Sequence, residues 1–167
     1  GRANPSECIL PEVFLSALRR LNPQIDDEIL KNILQDFRKD YSGTDMVDTN
    51  YKFYNQIRNG IKVKTRNQHR EDFDIVKLID FDHPERNEFH CVNQMWIKGH
   101  FRYRRPDVLL FVNGLPVVFI ELKNSTVKIE ESYNKNLVSY RKDIPNIFAM
   151  NQICVLSNGL QTKLGAW

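Results

Sequence analysis

Apolar and polar positions change rhythm three times along the chain. Phe14, Leu15, Leu18 and Leu21 recur at helical spacing after Pro11. A second helix is expected over about Asp26–Phe37, with Ile29, Leu30, Ile33, Leu34 and Phe37 on one side. Asp26 or Asp27 can accept from the exposed amides at its start. A third helix is expected over about Thr49–Arg58, stopped by Asn59 and Gly60. The rhythm then becomes alternating: Ile61-Lys62-Val63 opens a strand, and Phe73–Ile79 and Phe89–Ile97 read as two more. Val108–Val112 and Val117–Leu122 are apolar runs around Asn113-Gly114-Leu115-Pro116, which predicts a buried hairpin. Helical spacing returns over Thr126–Lys142, with Ile129, Tyr133, Leu137 and Tyr140 on one face and Pro145 as its stop. Gln152–Leu156 is the final expected strand. This order predicts an α/β (α+β) fold with a mixed central β-sheet flanked by helices and an N-terminal helical segment. Residues 1–60 form the helical part and residues 61–167 the core, together one domain.

The charges inside the hairpin change this picture. Glu121 and Lys123 end an otherwise apolar strand, and Arg105-Pro106-Asp107 opens its partner. Alternation puts Val117, Phe119, Glu121 and Lys123 on one face. A charge beside a core strand is costly unless paired or bound to metal. If Asp107 faces Glu121, Val112 faces Pro116 and the loop is Asn113-Gly114-Leu115. A plain two- or four-residue loop would put the carboxylates on opposite faces. The expectation is therefore an odd loop, or a bulge, with both carboxylates on one face. Two such carboxylates and the Leu122 carbonyl can hold Mg²⁺. A lysine beside them can position water and stabilise charge on phosphate. The plain alternative for Glu121 and Lys123 is a strand end meeting solvent with a surface ion pair.

Pro106-Asp107 followed by Glu121-Leu122-Lys123 resembles the PD-(D/E)XK nuclease motif. The longer run from Arg104 to Asn124, with Leu78–Asp82, Val92-Asn93-Gln94 and Asp143–Gly159, resembles the N-terminal nuclease domain of the restriction (R) subunit of type I restriction–modification enzymes. The resemblance spans about Ile9 to the end. It implies a restriction-endonuclease-like fold and Mg²⁺-dependent cleavage of double-stranded DNA, following translocation by an ATP-driven helicase motor elsewhere in the polypeptide. Asp107 and Glu121 map onto the metal-binding carboxylates and Lys123 onto the catalytic lysine. Asn136 and Tyr140 map onto a Gln-x-x-x-Tyr pattern, with Asn one methylene shorter than Gln. Apart from the resemblance, Asn93-Gln94 near the sheet end reads as a pair that orients water or phosphate, with Gln94 as a supporting residue; turn chemistry or core hydrogen bonding is the equal alternative. Modification and specificity subunits are the implied partners. An acidic residue on a preceding helix is expected upstream of Gly1, with Glu7 and Glu12 as weak substitutes. The alternatives are an inactive DNA-binding or docking module of the same fold, and a repair or junction nuclease.

Composition narrows the setting. The 167 residues carry 24 Lys and Arg against 21 Asp and Glu, a formal net charge of +3. That excludes a histone-like polycation but leaves a local DNA-binding face open. Arg102, Arg104 and Arg105 cluster with Phe101 and Tyr103 just before Asp107. Arg104 and Arg105 are expected at the DNA backbone, and a solvated loop is the other reading. Asp72, Asp74, Asp80 and Asp82 read as solvated loop acids, and the four histidines form no metal or nucleophile pattern. Cys8, Cys91 and Cys154 are odd in number and widely spaced, so neither a disulfide framework nor a zinc site is indicated. A reducing, cytoplasmic setting is expected, with no membrane partner. No phosphate-binding G-x-x-x-x-G-K-[ST] loop is present, so ATP belongs to the motor and not to this chain. The chain reads as a fragment of that larger subunit.

Overall fold

The computed structural model describes residues 4–67, 70–129 and 137–166. The three expected N-terminal helices are present: α1 (Pro11–Leu21), α2 (Asp27–Phe37) and α3 (Met46–Asn59). Asp26 caps α2 by accepting from the Glu28 amide at 2.7 Å. Helix α3 starts three residues before the expected Thr49, because Asp45 accepts from the amides of Val47 and Asp48. Phe14, Phe37 and Phe53 pack ring against ring, with adjacent centroids 4.9 Å apart, and join the helices around one core.

Strands β1 (Ile61–Asn67) and β2 (Arg70–Val76) form a separate antiparallel ribbon. The expected strand Phe73–Ile79 therefore ends early, at Val76. Buried Asn22 diverts the chain there: it accepts from the Lys77 amide at 2.7 Å and donates to the Lys77 carbonyl at 2.9 Å. The side chain takes the place of a neighbouring strand. The loop that follows contains a short 3₁₀ turn, Pro84–Arg86. Asp80 departs from the solvated reading, since it is 5% exposed and accepts from the His83 amide at 3.1 Å.

The central sheet has five strands in the order β3 (Phe89–Asn93), β6 (Val108–Val112), β7 (Leu115–Leu122), β8 (Ile153–Ser157), β9 (Thr162–Gly165). All neighbours are antiparallel except β7 and β8, so the sheet is mixed. Strand β7 lies in the middle. The expected strand Phe89–Ile97 is two pieces, because Gln94 has φ of 52° and breaks the run. Its second piece, β4 (Ile97–Lys98), pairs with β5 (Tyr103–Arg104) in a small ribbon. Strand β9 lies beyond the expected last strand, and every residue in it is exposed. Such a sequence carries no alternating signal.

The β6–β7 hairpin settles the register. Val108 faces Ile120, Leu109 faces Phe119 and Leu110 faces Val118. Past Leu110 the pairing shifts, so that Phe111 faces Pro116 and Val112 faces Leu115. The loop is thus Asn113-Gly114, not the expected three residues, and a bulge restores the frame. Both loop residues have positive φ, 50° and 81°, as the favoured two-residue hairpin turns require.

The expected helix Thr126–Lys142 does not begin at Thr126. Asn124 Oδ1 accepts from the Thr126 amide and hydroxyl, both at 3.0 Å, which makes a local turn there. Tyr133 lies outside the described residues. Helix α4 covers Val138–Asp143. Ile144, forced toward extended backbone by the next proline, ends it at φ of −132°. Pro145 then opens α5 (Pro145–Met150), whose last four residues are buried. Asn50 of α3 donates to the Phe148 and Asn151 carbonyls at 2.9 and 2.6 Å and holds this helix end. No described helix is long and apolar enough to cross a membrane.

Gly114 separates backbone strain from steric crowding. A Cβ there would lie 2.6 Å from the Leu10 carbonyl oxygen and 2.8 Å from the Phe14 nitrogen. Gly159, at φ of 82°, has nothing within 4 Å of such a Cβ. In urea unfolding, Gly159→Ala is expected to cost about 1–2 kcal/mol. Gly114→Ala is expected to cost about 3 kcal/mol or more, because backbone atoms of α1 must also move. Equal costs would contradict this packing.

Candidate active site

Glu121 lies near the end of the central strand on the same face as Phe119, and only 2% of its surface is exposed. Continuing the Val108–Ile120 pairing by one step brings Asp107 opposite it. The bulge therefore does what the expected odd loop would have done. Lys123 donates to Glu121 Oε1 at 2.6 Å. Its backbone amide donates to the Ser157 carbonyl at 2.8 Å and extends the parallel ladder to this residue.

Asp107 is held by two donors. Gln94 Nε2 lies 2.8 Å from Oδ1, and the Leu122 amide lies 2.8 Å from Oδ2. The Gln94 amide also donates to the Asp107 carbonyl at 2.9 Å. The left-handed turn at Gln94 thus aims both of its nitrogen donors at one aspartate. This fixes the plane of the carboxylate through both oxygens.

Tyr140 of α4 covers the pair. Its ring packs edge-on against Phe119 at 5.4 Å, and its hydroxyl lies 3.3 Å from the Arg105 carbonyl. The hydroxyl is also close enough to interact with Glu121. Burial pushes the Tyr140 hydroxyl well above its ordinary pKa, and the charges of Glu121 and Asp107 push it further. It therefore acts as a neutral donor at physiological pH. Burial likewise raises the Glu121 pKa; the Lys123 hydrogen bond opposes this, and the nearby Asp107 charge adds to it.

The arginines separate. Arg104 Nε pairs with Asp143 Oδ2 at 2.6 Å, and its guanidinium sits 5.6 Å from the centre of the Tyr140 ring. It is committed to holding α4. Arg105 is exposed and stacks over Trp96 at 5.1 Å. The structure thus brings together Gln94, Asp107, Glu121, Leu122, Lys123 and Tyr140, with Arg104 and Arg105 beside them. Asn136 lies outside the described residues. Glu12 is exposed on α1. Glu7 is buried and paired with Arg38, in a cavity that Asp107, Glu121 and Lys123 do not line. Neither glutamate joins the site.

Asp143 is the residue that sequence reasoning missed. Its spacing from Tyr140, one helical turn, puts the two on neighbouring positions of one face, and that was the available signal. Among the described residues no group of three or more His, Cys, Asp or Glu side chains stands together as a metal site. The side-chain donors here are two carboxylates.

A mixed sheet flanked by helices, with paired carboxylates and a lysine at the ends of its central strands, defines a restriction-endonuclease-like protein. Comparison with known proteins gives the same class. Residues 2–166 match the family described as "Type I restriction enzyme R protein N terminus", and the chain belongs to that family. It is 32% identical to the type I restriction enzyme HindI endonuclease subunit of Haemophilus influenzae, over 99% of this chain and 16% of that protein. It is 31% identical to the putative type I restriction enzyme MjaIXP endonuclease subunit of Methanocaldococcus jannaschii, again over 99% and 16%. The chain therefore spans about one sixth of the length of these relatives.

The raised Glu121 pKa makes a stability prediction. The fold holds this proton more tightly than the unfolded chain does. The resulting contribution is present below the unfolded pKa and is lost as pH rises through the folded one. Glu121→Gln cannot lose it. In metal-free buffer the variant is expected to match the wild type near about pH 4 and to be more stable near about pH 8. Urea unfolding at both pH values checks this. Equal stability at the higher pH would mean that ionising Glu121 costs the fold nothing.

Proposed function

We propose that this chain is the nuclease domain of a type I restriction enzyme R subunit, and that it hydrolyses phosphodiester bonds of double-stranded DNA. The observation that carries the reading is the hairpin register that brings Asp107 and Glu121 to one face, with the Lys123 ammonium on Glu121. A surface ion pair would not require burying a carboxylate to 2% exposure on the central strand.

The donor set fits a hard divalent cation. Both side chains offer carboxylate oxygen, the donor type such a cation prefers. Asp107, Glu121 and the Leu122 carbonyl would hold Mg²⁺, which when bound polarises water and neutralises charge on the phosphate. The remaining work falls to the chain itself. Gln94 and the Leu122 amide keep Asp107 in one orientation. Tyr140 closes the inner side of the site against water. Lys123 supplies a positive charge that can pass from Glu121 to the attacked phosphate and its water.

In the intact enzyme, DNA reaches this site through an ATP-driven helicase motor in the same polypeptide. Modification and specificity subunits supply sequence recognition. Arg105, exposed two residues before Asp107, contacts the DNA backbone.

The test uses the full-length subunit assembled with its partners, supercoiled plasmid, Mg²⁺ and ATP. Lys123→Ala is expected to reduce cleavage about a hundredfold or more and to leave ATP hydrolysis intact. If the variant cuts as fast as the wild type, Lys123 has no catalytic role. If the wild type itself never cuts, the chain is a docking module that has kept the fold.

A further inference from the structure

The segment between Gln94 and Asp107 is a closed excursion whose base is the candidate site. Gln94 and Asp107 meet through two hydrogen bonds, at 2.8 and 2.9 Å. Everything between them leaves the sheet and returns. Strands β4 and β5 zip this excursion into a ribbon, with Ile97 opposite Arg104 and Lys98 opposite Tyr103. Residues 99–102 turn at its tip, where the Gly99 amide donates to the Arg102 carbonyl at 2.8 Å.

The ribbon is anchored firmly. Ile97 is buried, and the Lys98 amide donates to the Pro5 carbonyl at 3.0 Å. Arg104 is paired with Asp143. At Gly99 an added Cβ would fall 1.8 Å from the Asp143 carbonyl oxygen, so the turn rests directly on the end of α4. This rigid tip carries Phe101 at 92% exposure, the most exposed of the large hydrophobic side chains described. Folding gains nothing from presenting a phenyl ring to water on a fixed turn.

The chemistry around the ring selects its partner. From Met95 to Arg105 the excursion contains Lys98, Arg102, Arg104 and Arg105 and no acid. Asp143 engages Arg104 and Asp40 lies 3.2 Å from His100, so the positive charge of this surface comes from Lys98, Arg102 and Arg105. Trp96 and Tyr103, both about half exposed, pack edge to face along one side, with Arg105 over Trp96. A surface that offers cations at its flanks and an aromatic ring at its point is complementary to a polyanion with an apolar interior. Duplex nucleic acid has that construction. Phe101 is six residues from Asp107, at most about 20 Å of extended chain, or about six base-pair rises.

We propose that the β4–β5 ribbon is a DNA wedge: Phe101 enters between base pairs of the duplex from the minor groove, while Arg102 and Arg105 grip the flanking phosphates. Side chains of this kind unstack a step and kink the helix. The kink would present the neighbouring phosphodiester to Asp107 and Glu121. The wedge deepens the nuclease reading and rests on it.

The test measures binding of this chain to a 30-base-pair duplex containing 2-aminopurine, in EDTA so that no cutting occurs. Phe101→Ala is expected to weaken binding about tenfold and to abolish the fluorescence rise that reports unstacking. The salt dependence should stay the same, since no charge is removed. Phe101→Trp should keep both affinity and fluorescence, and circular dichroism should show all variants folded. Arg102→Ala should reduce the salt slope by about one and keep the fluorescence rise. If Phe101→Ala matches the wild type in affinity and fluorescence, the wedge is wrong. It is equally wrong if the variant binds DNA normally but loses assembly with the other subunits, which would make the ribbon a protein-docking device. Failure of the nuclease reading appears elsewhere, as undiminished plasmid cutting by Lys123→Ala.

Discussion

A carboxylate buried at the end of the central strand is the constraint around which the rest of the molecule is arranged. Glu121 sits beside Phe119 in surroundings that resist its charge. Lys123 supplies one counter-charge, and Tyr140 closes the site from the helix side. Lys123 follows β7 itself, Asp107 precedes β6 and Tyr140 lies on α4, so the site exists only when these three elements are assembled together. Burial of this kind raises the cost of the Glu121 charge, so its surroundings decide how readily it ionises.

The hairpin turn carries that arrangement to the other end of the fold. Asn113 is fully buried in a left-handed conformation. Its side chain donates to the Leu78 carbonyl at 2.9 Å and to Asn87 Oδ1 at 2.8 Å, and it accepts from the Glu88 amide at 2.8 Å. Gly114 receives the Leu10 amide at 2.9 Å. The turn that sets the β6–β7 pairing is therefore bonded both to the loop entering β3 and to the segment entering α1. The helical part and the sheet share one core, and the turn is a polar rivet between them.

The excursion between Gln94 and Asp107 shows the same economy of parts. Gln94 ends a strand, orients the aspartate and closes the base of the ribbon. Arg104 looks in sequence like one more DNA-binding arginine, yet Asp143 and the Tyr140 ring engage it in the fold. The exposed cation and the exposed ring remain for Arg105, Arg102 and Phe101. Basic residues that look equivalent in a cluster are divided by packing into structural and solvent-facing sets.

Periodicity and local chemistry determined much of this protein without a structure. The three helices, the buried hairpin, the mixed sheet and the carboxylates on one face follow from helical spacing, alternation and the cost of burying charge. The residues around Asp107, Glu121 and Lys123 also carried the family resemblance. Tertiary structure decided what depends on partners distant in sequence. Asn22 ended the second ribbon strand 55 residues away by replacing a neighbouring strand. An odd loop and a bulge with a two-residue turn give the same carboxylate geometry, and only the packed hairpin chose the bulge. The exposed strand β9 and the engagement of Arg104 by Asp143 left no periodic trace. Pairing along a sheet edge and ion pairs across elements are set by where the chain returns, and local sequence does not encode that return.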